Sequence, residues 1–174
     1  MKVLFGVDVG GTDIKLGAFD WKSQKILKKW AIKTDLSNEG KQIIPDVAKE
    51  IQSYLCENTL SEADVYGIGI GIPGPVDKDG NVEVCVNLFW NNFNPAEEMR
   101  KFFPHAYIQA GNDANVAALG EFVQGAGRKY KTMMLITLGT GVGGGIILNG
   151  DIVLGASGLA GEIGHIAVGS KDSG

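Results

Sequence analysis

The chain has 174 residues, enough for one large domain or for one domain with part of a second. Hydrophobic residues make up 44% of it, which is ample for a buried core, and its 26 glycines indicate many tight turns. The net charge of −4 is spread along the chain without a basic stripe, so nucleic acid is not an expected partner.

The first predicted element is an apolar strand that ends in a glycine turn. Val3 to Val9 is followed by Gly10-Gly11-Thr12, and a second strand with alternating apolar residues begins at Asp13. Paired glycines let backbone N–H groups approach a ligand closely, and the Thr12 hydroxyl adds a donor, which together suit phosphate oxygens. Asp8, near the end of its strand, is placed to hold a hydrated Mg²⁺.

The next elements predict an α/β lobe. A third strand is expected over residues 25–33, a helix from a cap at Asn38 to about Glu57, and a strand over 65–72 that is buried on both faces. Three antiparallel strands, a crossover helix and a buried parallel strand indicate a ribonuclease H-like sheet. Cys56 and Cys85 have no metal or redox spacing, which predicts reduced, packed thiols in a cytoplasmic protein.

A ligand crevice is expected beyond these strands, because α/β folds bind ligands outside the carboxyl ends of their strands. Gly74 lies in such a turn, where it either admits a small substrate or only shapes the backbone. An aromatic loop at residues 87–91 carries amides that suit sugar hydroxyls, or else it plugs the core. Asp113 is either a helix cap or a base for a substrate hydroxyl, with Asn112 orienting that substrate.

A second glycine–hydroxyl turn, Gly139-Thr140-Gly141, follows an apolar strand at residues 133–138. Its spacing to Gly144 also matches the dinucleotide fingerprint, but the following residues predict a strand where that site needs a helix. Residues 133–150 carry no charge, yet their glycines argue against a membrane helix. Either turn alone could be purely structural. The pair predicts two related lobes that face a nucleotide.

Four motifs stand in order along the chain: Asp8-Val9-Gly10-Gly11-Thr12, Gly111-Asn112-Asp113-Ala114-Asn115, Leu138 to Gly145, and Gly161-Glu162-Ile163-Gly164-His165. Together they resemble the ROK family of sugar kinases and sugar-responsive repressors. This resemblance implies the two-lobed actin/hexokinase fold, with an N-terminal lobe over residues 1–115 and the start of a C-terminal lobe over 116–174. Because the second lobe has few strands and no covering helix, we expect it to be incomplete and the 174-residue piece to lack kinase activity.

The resemblance also implies roles for single residues. Asp113 would take the proton from the 6-hydroxyl of a hexose as that oxygen attacks the γ-phosphorus of MgATP. Sugar contacts are implied for Gly74, Asn87, Asn112, Asp113, Glu162 and His165, and phosphate contacts for Asp8, Gly10, Gly11, Thr12, Lys15, Gly139, Thr140 and Gly141. In the family a histidine binds structural Zn²⁺ with a cysteine cluster, and here His165 is the only ligand of that set.

The resemblance favours a sugar kinase with glucose as the expected hexose. N-acetylglucosamine, N-acetylmannosamine, mannose or fructose could replace glucose, and polyphosphate could replace ATP. The alternative from another class is a sugar-sensing repressor domain, although such members carry a DNA-binding segment before the strand that this chain enters at Val3. We further expect a cytoplasmic homodimer whose partners are a hexose and ATP, without a membrane or nucleic acid.

Overall fold

In the computed structural model, which describes residues 1–139, 141–156 and 158–166, the chain separates after Asp113 into two units. They run over Met1–Asp113 and Ala114–Gly174. The division into an N-terminal lobe over residues 1–115 and an incomplete C-terminal lobe over 116–174 stays a prediction.

The first unit is built on a mixed sheet. Its strands are β1 (Val3–Val9), β2 (Asp13–Asp20), β3 (Ile26–Lys33), β4 (Val65–Ile72), β5 (Val82–Cys85), β6 (Trp90–Phe93) and β7 (Tyr107–Asn112), and its helices are α1 (Ile43–Glu57) and α2 (Pro95–Arg100). Five strands follow the order β3-β2-β1-β4-β7; the β1–β4 and β4–β7 pairs are parallel, and the pairs of β2 are antiparallel. β5 and β6 form a separate hairpin. The α/β prediction with its three antiparallel strands is confirmed.

The core of the first unit combines one face of this sheet with α1. Alternation in β1 buries Val3, Phe5 and Val7, each at most 4% exposed. The ring of Phe5 meets Tyr54 of α1 edge-on at 5.5 Å, and Trp30 of β3 stacks on the same tyrosine at 5.6 Å. Full burial of such a side chain contributes roughly 1.5–3 kcal/mol, so this face fixes the strand register.

Strand β4 is buried on both faces over most of its length, as predicted. Its three isoleucines, all on one face, are at most 2% exposed. On the opposite face Val65, Gly67 and Gly71 are buried as well. The prediction is therefore confirmed apart from the exposed Gly69 and the partly buried Tyr66.

Two local predictions were wrong. Asn38 does not cap α1, because it lies in a 3₁₀ turn with φ of +51°, and the helix begins at Ile43. This turn ends at the buried Gly40, whose φ is +66°. The Gly40 carbonyl accepts a 3.1 Å hydrogen bond from Trp90 Nε1. The predicted aromatic loop is instead partly strand, since Trp90 is buried in β6.

The second unit contains a smaller sheet. Helix α3 (Asp113–Gln124) starts at the last residue of the first unit, and the strands β8 (Met133–Leu138), β9 (Val142–Leu148) and β10 (Asp151–Ile152) pair in the order β10-β9-β8. The strand predicted after the second glycine turn is therefore confirmed, where a dinucleotide site needs a helix. Nowhere in the described ranges does a helix combine the length and hydrophobicity needed to cross a bilayer.

Candidate functional site

The first glycine turn joins β1 to β2 and is held by β3. The amide of Gly10 donates to the carbonyl of Asp13 at 3.1 Å. Thr34 donates twice, from Oγ1 to the Gly10 carbonyl at 2.6 Å and from its backbone amide to the Thr12 carbonyl at 3.1 Å. Sequence reasoning missed Thr34; the available signal was a hydroxyl placed directly after the strand that pairs with β2.

The two glycines of this turn differ in what surrounds them. A Cβ on Gly10 would lie 2.8 Å from the Asp13 carbonyl oxygen, so the hairpin itself requires glycine there. A Cβ on Gly11 would have the carbonyl oxygen of Asn87 as its nearest described neighbour, at an ordinary 3.5 Å. Packing therefore does not require a glycine at Gly11. The predicted sugar contact Asn87 thus lies beside the predicted phosphate turn.

Asp8 and Lys15 face each other across the same hairpin. They are register partners in β1 and β2, and Lys15 Nζ lies 3.4 Å from Asp8 Oδ2. Both side chains are more than half exposed, so the pair contributes little stability and its charges stay accessible. An exposed carboxylate suits a hydrated Mg²⁺, and an ammonium suits phosphate oxygens.

Asp113 lies where β4 and β7 end. Ile72 pairs with Asn112, and Asp113 follows directly with an exposed side chain. A Cβ on Gly71 would lie 3.6 Å from the Asp113 Cα, an ordinary contact distance, so Gly71 of β4 lies directly beside the aspartate. Nδ2 of the buried Asn112 donates to the carbonyl of Gly74 at 3.1 Å. The structure thus brings together three predicted residues, Gly74, Asn112 and Asp113.

A thiol adjoins this group. Cys85 is 2% exposed, and its Sγ donates to the carbonyl of Pro73 at 3.1 Å. Burial raises the pKa of the Cys85 thiol, and the Asp113 carboxylate raises it further, whereas the backbone amides of Leu88 and Asn87 lower it. Both cysteines are free, as predicted, but Cys56 is exposed and only Cys85 is packed.

In the second unit, the Gly161–His165 segment lies against β9. A Cβ on Gly161 would sit 2.1 Å from the Gly144 carbonyl oxygen, and one on Gly164 would sit 2.3 Å from that of Val142. These glycines are therefore needed for backbone packing. They present Glu162, which is partly buried, and His165, which is exposed, with Oε2 and Nε2 separated by 3.8 Å.

The second glycine turn is described at both ends only, because Thr140 lies outside the described residues. The amide of Gly139 donates to the carbonyl of Gly141 at 2.9 Å. A Cβ on either glycine would meet no described atom within 4 Å. The described surroundings thus give no packing reason for these two glycines.

Zinc binding was expected only with ligands beyond His165. The described part of the chain holds no group of three or more His, Cys, Asp or Glu side chains placed to share one metal ion. Glu162 and His165 alone do not fit a closed four-ligand site.

The motifs can now be compared with known proteins. The sequence profile of the ROK family matches residues 4–173. The chain belongs to the ROK family. The resemblance found from the four motifs is thereby confirmed.

This ROK chain is similar to several sugar kinases. It is 45% identical to a glucokinase of Halalkalibacterium halodurans over 94% of the chain and 49% of that protein. It is 35% identical to an N-acetyl-D-glucosamine kinase of Yersinia pseudotuberculosis over 92% of the chain and 51% of that protein. A crystal structure of a ROK glucokinase from Streptomyces griseus with glucose and AMPPNP matches with a TM-score of 0.79 and 33% identity. The match covers 95% of this chain and 51% of that chain.

These relatives establish the fold of the chain and show how much of a ROK kinase it covers. The actin/hexokinase-like fold expected for a ROK protein is confirmed by the match to solved ROK kinases. The chain spans about half the length of the curated relatives it matches.

Proposed function

We propose that the full-length protein is a hexose kinase that transfers the γ-phosphoryl group of MgATP to the 6-hydroxyl of glucose. The observation that supports this most strongly is the group at the carboxyl ends of β4 and β7. There an exposed carboxylate, Asp113, adjoins Asn112, whose amide is bonded to the Gly74 turn. An accessible base beside fixed polar groups is what proton removal from a sugar hydroxyl requires.

In this proposal the first unit supplies the base and one phosphate turn. Asp113 accepts the hydroxyl proton, while Asn112, Gly74 and Asn87 orient the sugar. The Gly10-Gly11 turn with the Gly11 amide, the Thr12 hydroxyl and Lys15 binds the phosphates of ATP, and Asp8 holds hydrated Mg²⁺. The bound Mg²⁺ would neutralise charge on the phosphates. Phosphoryl transfer depends mainly on positioning and charge stabilisation, so a carboxylate can serve as the base.

The second unit supplies further contacts in the same proposal. Glu162 and His165 bind hexose hydroxyls, and Gly139, Thr140 and Gly141 form a second phosphate turn. These assignments rest on the ROK motifs.

Glucose is the proposed sugar because the relatives named glucokinase include the protein at 45% identity. The N-acetylglucosamine kinase at 35% identity favours an N-acetylated hexose as the second candidate. A coupled assay of the full-length protein over a panel of hexoses, with MgATP or polyphosphate as donor, tests both. Highest kcat/KM for glucose with MgATP is expected. Preference for N-acetylglucosamine would support the second candidate, and absence of turnover with every pair would refute the kinase.

The proposal extends to a cytoplasmic homodimer that does not bind nucleic acid. The interspersed charges support the last point. Light scattering should give twice the mass of the full-length chain. Sugar-dependent retardation of DNA by the same protein would instead support a repressor.

A further inference from the structure

Cys85 connects the β5–β6 hairpin to the turn that follows β4. Its Sγ donates to the carbonyl of Pro73 at 3.1 Å, and the side chain is almost fully buried. Pro73 is only partly buried, but the thiol that donates to it is enclosed, so the thiol proton has a structural task at this point. Nothing in the spacing of the two cysteines indicated such a task.

The next residue of the turn, Gly74, is in contact with β5 and with the side chain of Asn112. A Cβ on Gly74 would lie 3.9 Å from Cys85 Sγ and 3.9 Å from the Val84 carbonyl oxygen. Its own carbonyl accepts the 3.1 Å hydrogen bond from Asn112 Nδ2. The turn is therefore held by Cys85 from one strand and by Asn112 from another.

The electrostatic surroundings keep this thiol protonated. Burial and the Asp113 carboxylate both raise the pKa of Cys85. A thiolate here could not donate to Pro73, and it would add a second negative charge close to Asp113. The neutral thiol is thus the form that matches the hydrogen bond.

We propose that Cys85 is a positioning residue for sugar binding: it fixes the Pro73–Gly74 turn and so sets the place of Gly74 and Asn112 against the hexose. The role in sugar binding rests on the proposed function, whereas the role of Cys85 in fixing the turn does not. Cys85 acts through the turn and does not itself touch the substrate.

The kinetic test compares Cys85→Ala with Cys85→Ser in full-length protein carrying Cys56→Ser, which removes the exposed thiol. Cys85→Ala should raise the hexose KM about fivefold, the loss expected for one hydrogen bond, with the ATP KM unchanged. Cys85→Ser keeps a donor and should recover most of the affinity. An unchanged hexose KM in Cys85→Ala, or equal rises in both KM values, would overturn the proposal.

Hydrogen exchange at the Gly74 amide tests, without any catalysis, whether Cys85 fixes the Pro73–Gly74 turn. This amide donates to the carbonyl of Ile72 at 3.0 Å, so its exchange reports on order in the turn. Exchange should accelerate at least about fivefold in Cys85→Ala and less in Cys85→Ser. Equal exchange in all forms would refute the role of Cys85. Failure of the parent protein to phosphorylate any hexose would refute the proposed function, and the exchange result would still stand.

Discussion

The hydroxyl of Thr34 donates to the carbonyl of Gly10 across 2.6 Å. This bond joins the residue after β3 to the first residue of the glycine turn. A second bond, from the Thr34 amide to the Thr12 carbonyl, fixes the other end of the turn. A turn held at both ends keeps its amides in a fixed arrangement, which phosphate binding requires.

Replacing Thr34 should therefore weaken ATP binding more than sugar binding. Thr34→Val keeps the shape and removes the donor, and we expect a rise in ATP KM of about 2- to 10-fold, the effect of one hydrogen bond. Thr34→Ser retains the hydroxyl and should lie near wild type. Steady-state kinetics with each substrate varied measures both values. An unchanged ATP KM in Thr34→Val would contradict the role of this bond.

The two glycines of the turn should respond differently to alanine. Gly10→Ala forces a Cβ to 2.8 Å from a carbonyl oxygen, which should lower the free energy of unfolding by about 1–3 kcal/mol. The thermal midpoint of unfolding should fall by several degrees as a result. Gly11→Ala has only ordinary contacts and should fold like wild type, but it should raise the ATP KM. Calorimetry and kinetics on both variants separate these effects. Normal ATP KM in Gly11→Ala would mean that no ligand approaches this glycine.

Asp8 should matter for magnesium and not for folding. Asp8→Asn removes an exposed carboxylate, so the free energy of unfolding should change by less than about 0.5 kcal/mol. The Mg²⁺ concentration needed for half-maximal rate should rise severalfold. Asp13→Asn is the matched control, since Asp13 of β2 is also paired with a lysine, Lys33 of β3, at 2.7 Å. Equal magnesium dependence in both variants would exclude Asp8 as the Mg²⁺ residue.

Asp77 should make stability depend on pH. The side chain and amide of Asn81 donate to its carboxylate, followed by smaller effects of the Asp79 and Gly80 amides, and they lower the pKa of Asp77. The folded pKa is thus below the unfolded one, so the ionised form stabilises the fold above about pH 4, and this contribution disappears as pH falls through the lowered pKa.

Urea unfolding of wild type and Asp77→Asn tests this dependence. Wild type should be the more stable at pH 7, and the difference should shrink towards zero below about pH 4. Asp79→Asn removes a charge from the same turn and serves as the control. A difference that stays constant from pH 7 to pH 3 would show that the ionised carboxylate is not responsible.

Local patterns were sufficient for most of the first unit. The alternation of Val3 to Val9 and the glycines after it define β1 and its turn, and the isoleucines of residues 65–72 define β4. These signals are short-range and are reinforced by burial. The start of α1 was misplaced because a distant residue, Trp90, binds the Gly40 carbonyl, and a contact between residues 50 positions apart leaves no periodic signal.

In the candidate site too, residues with a local sequence signal were predicted and residues that act through long-range contacts were not. Asp113, Asn112 and Gly74 were identified because each stands at the end of a strand, where the fold gathers ligand contacts. Thr34 and Cys85 were missed as site residues because their tasks are hydrogen bonds to backbone carbonyls of other elements. Many hydroxyls and thiols in a chain have equivalent local sequence, so only the tertiary arrangement distinguishes these two.

The role of Asp113 is the centre of the proposed mechanism, and the Asp113→Asn variant of the full-length protein tests it most directly. Turnover of glucose with MgATP and equilibrium binding of glucose should be measured on the same preparation. We expect kcat to fall by about 10²-fold or more, because a positioned base contributes roughly 10²–10⁴-fold, while the glucose Kd changes little. If the variant keeps more than about a tenth of the wild-type rate, Asp113 is not the base.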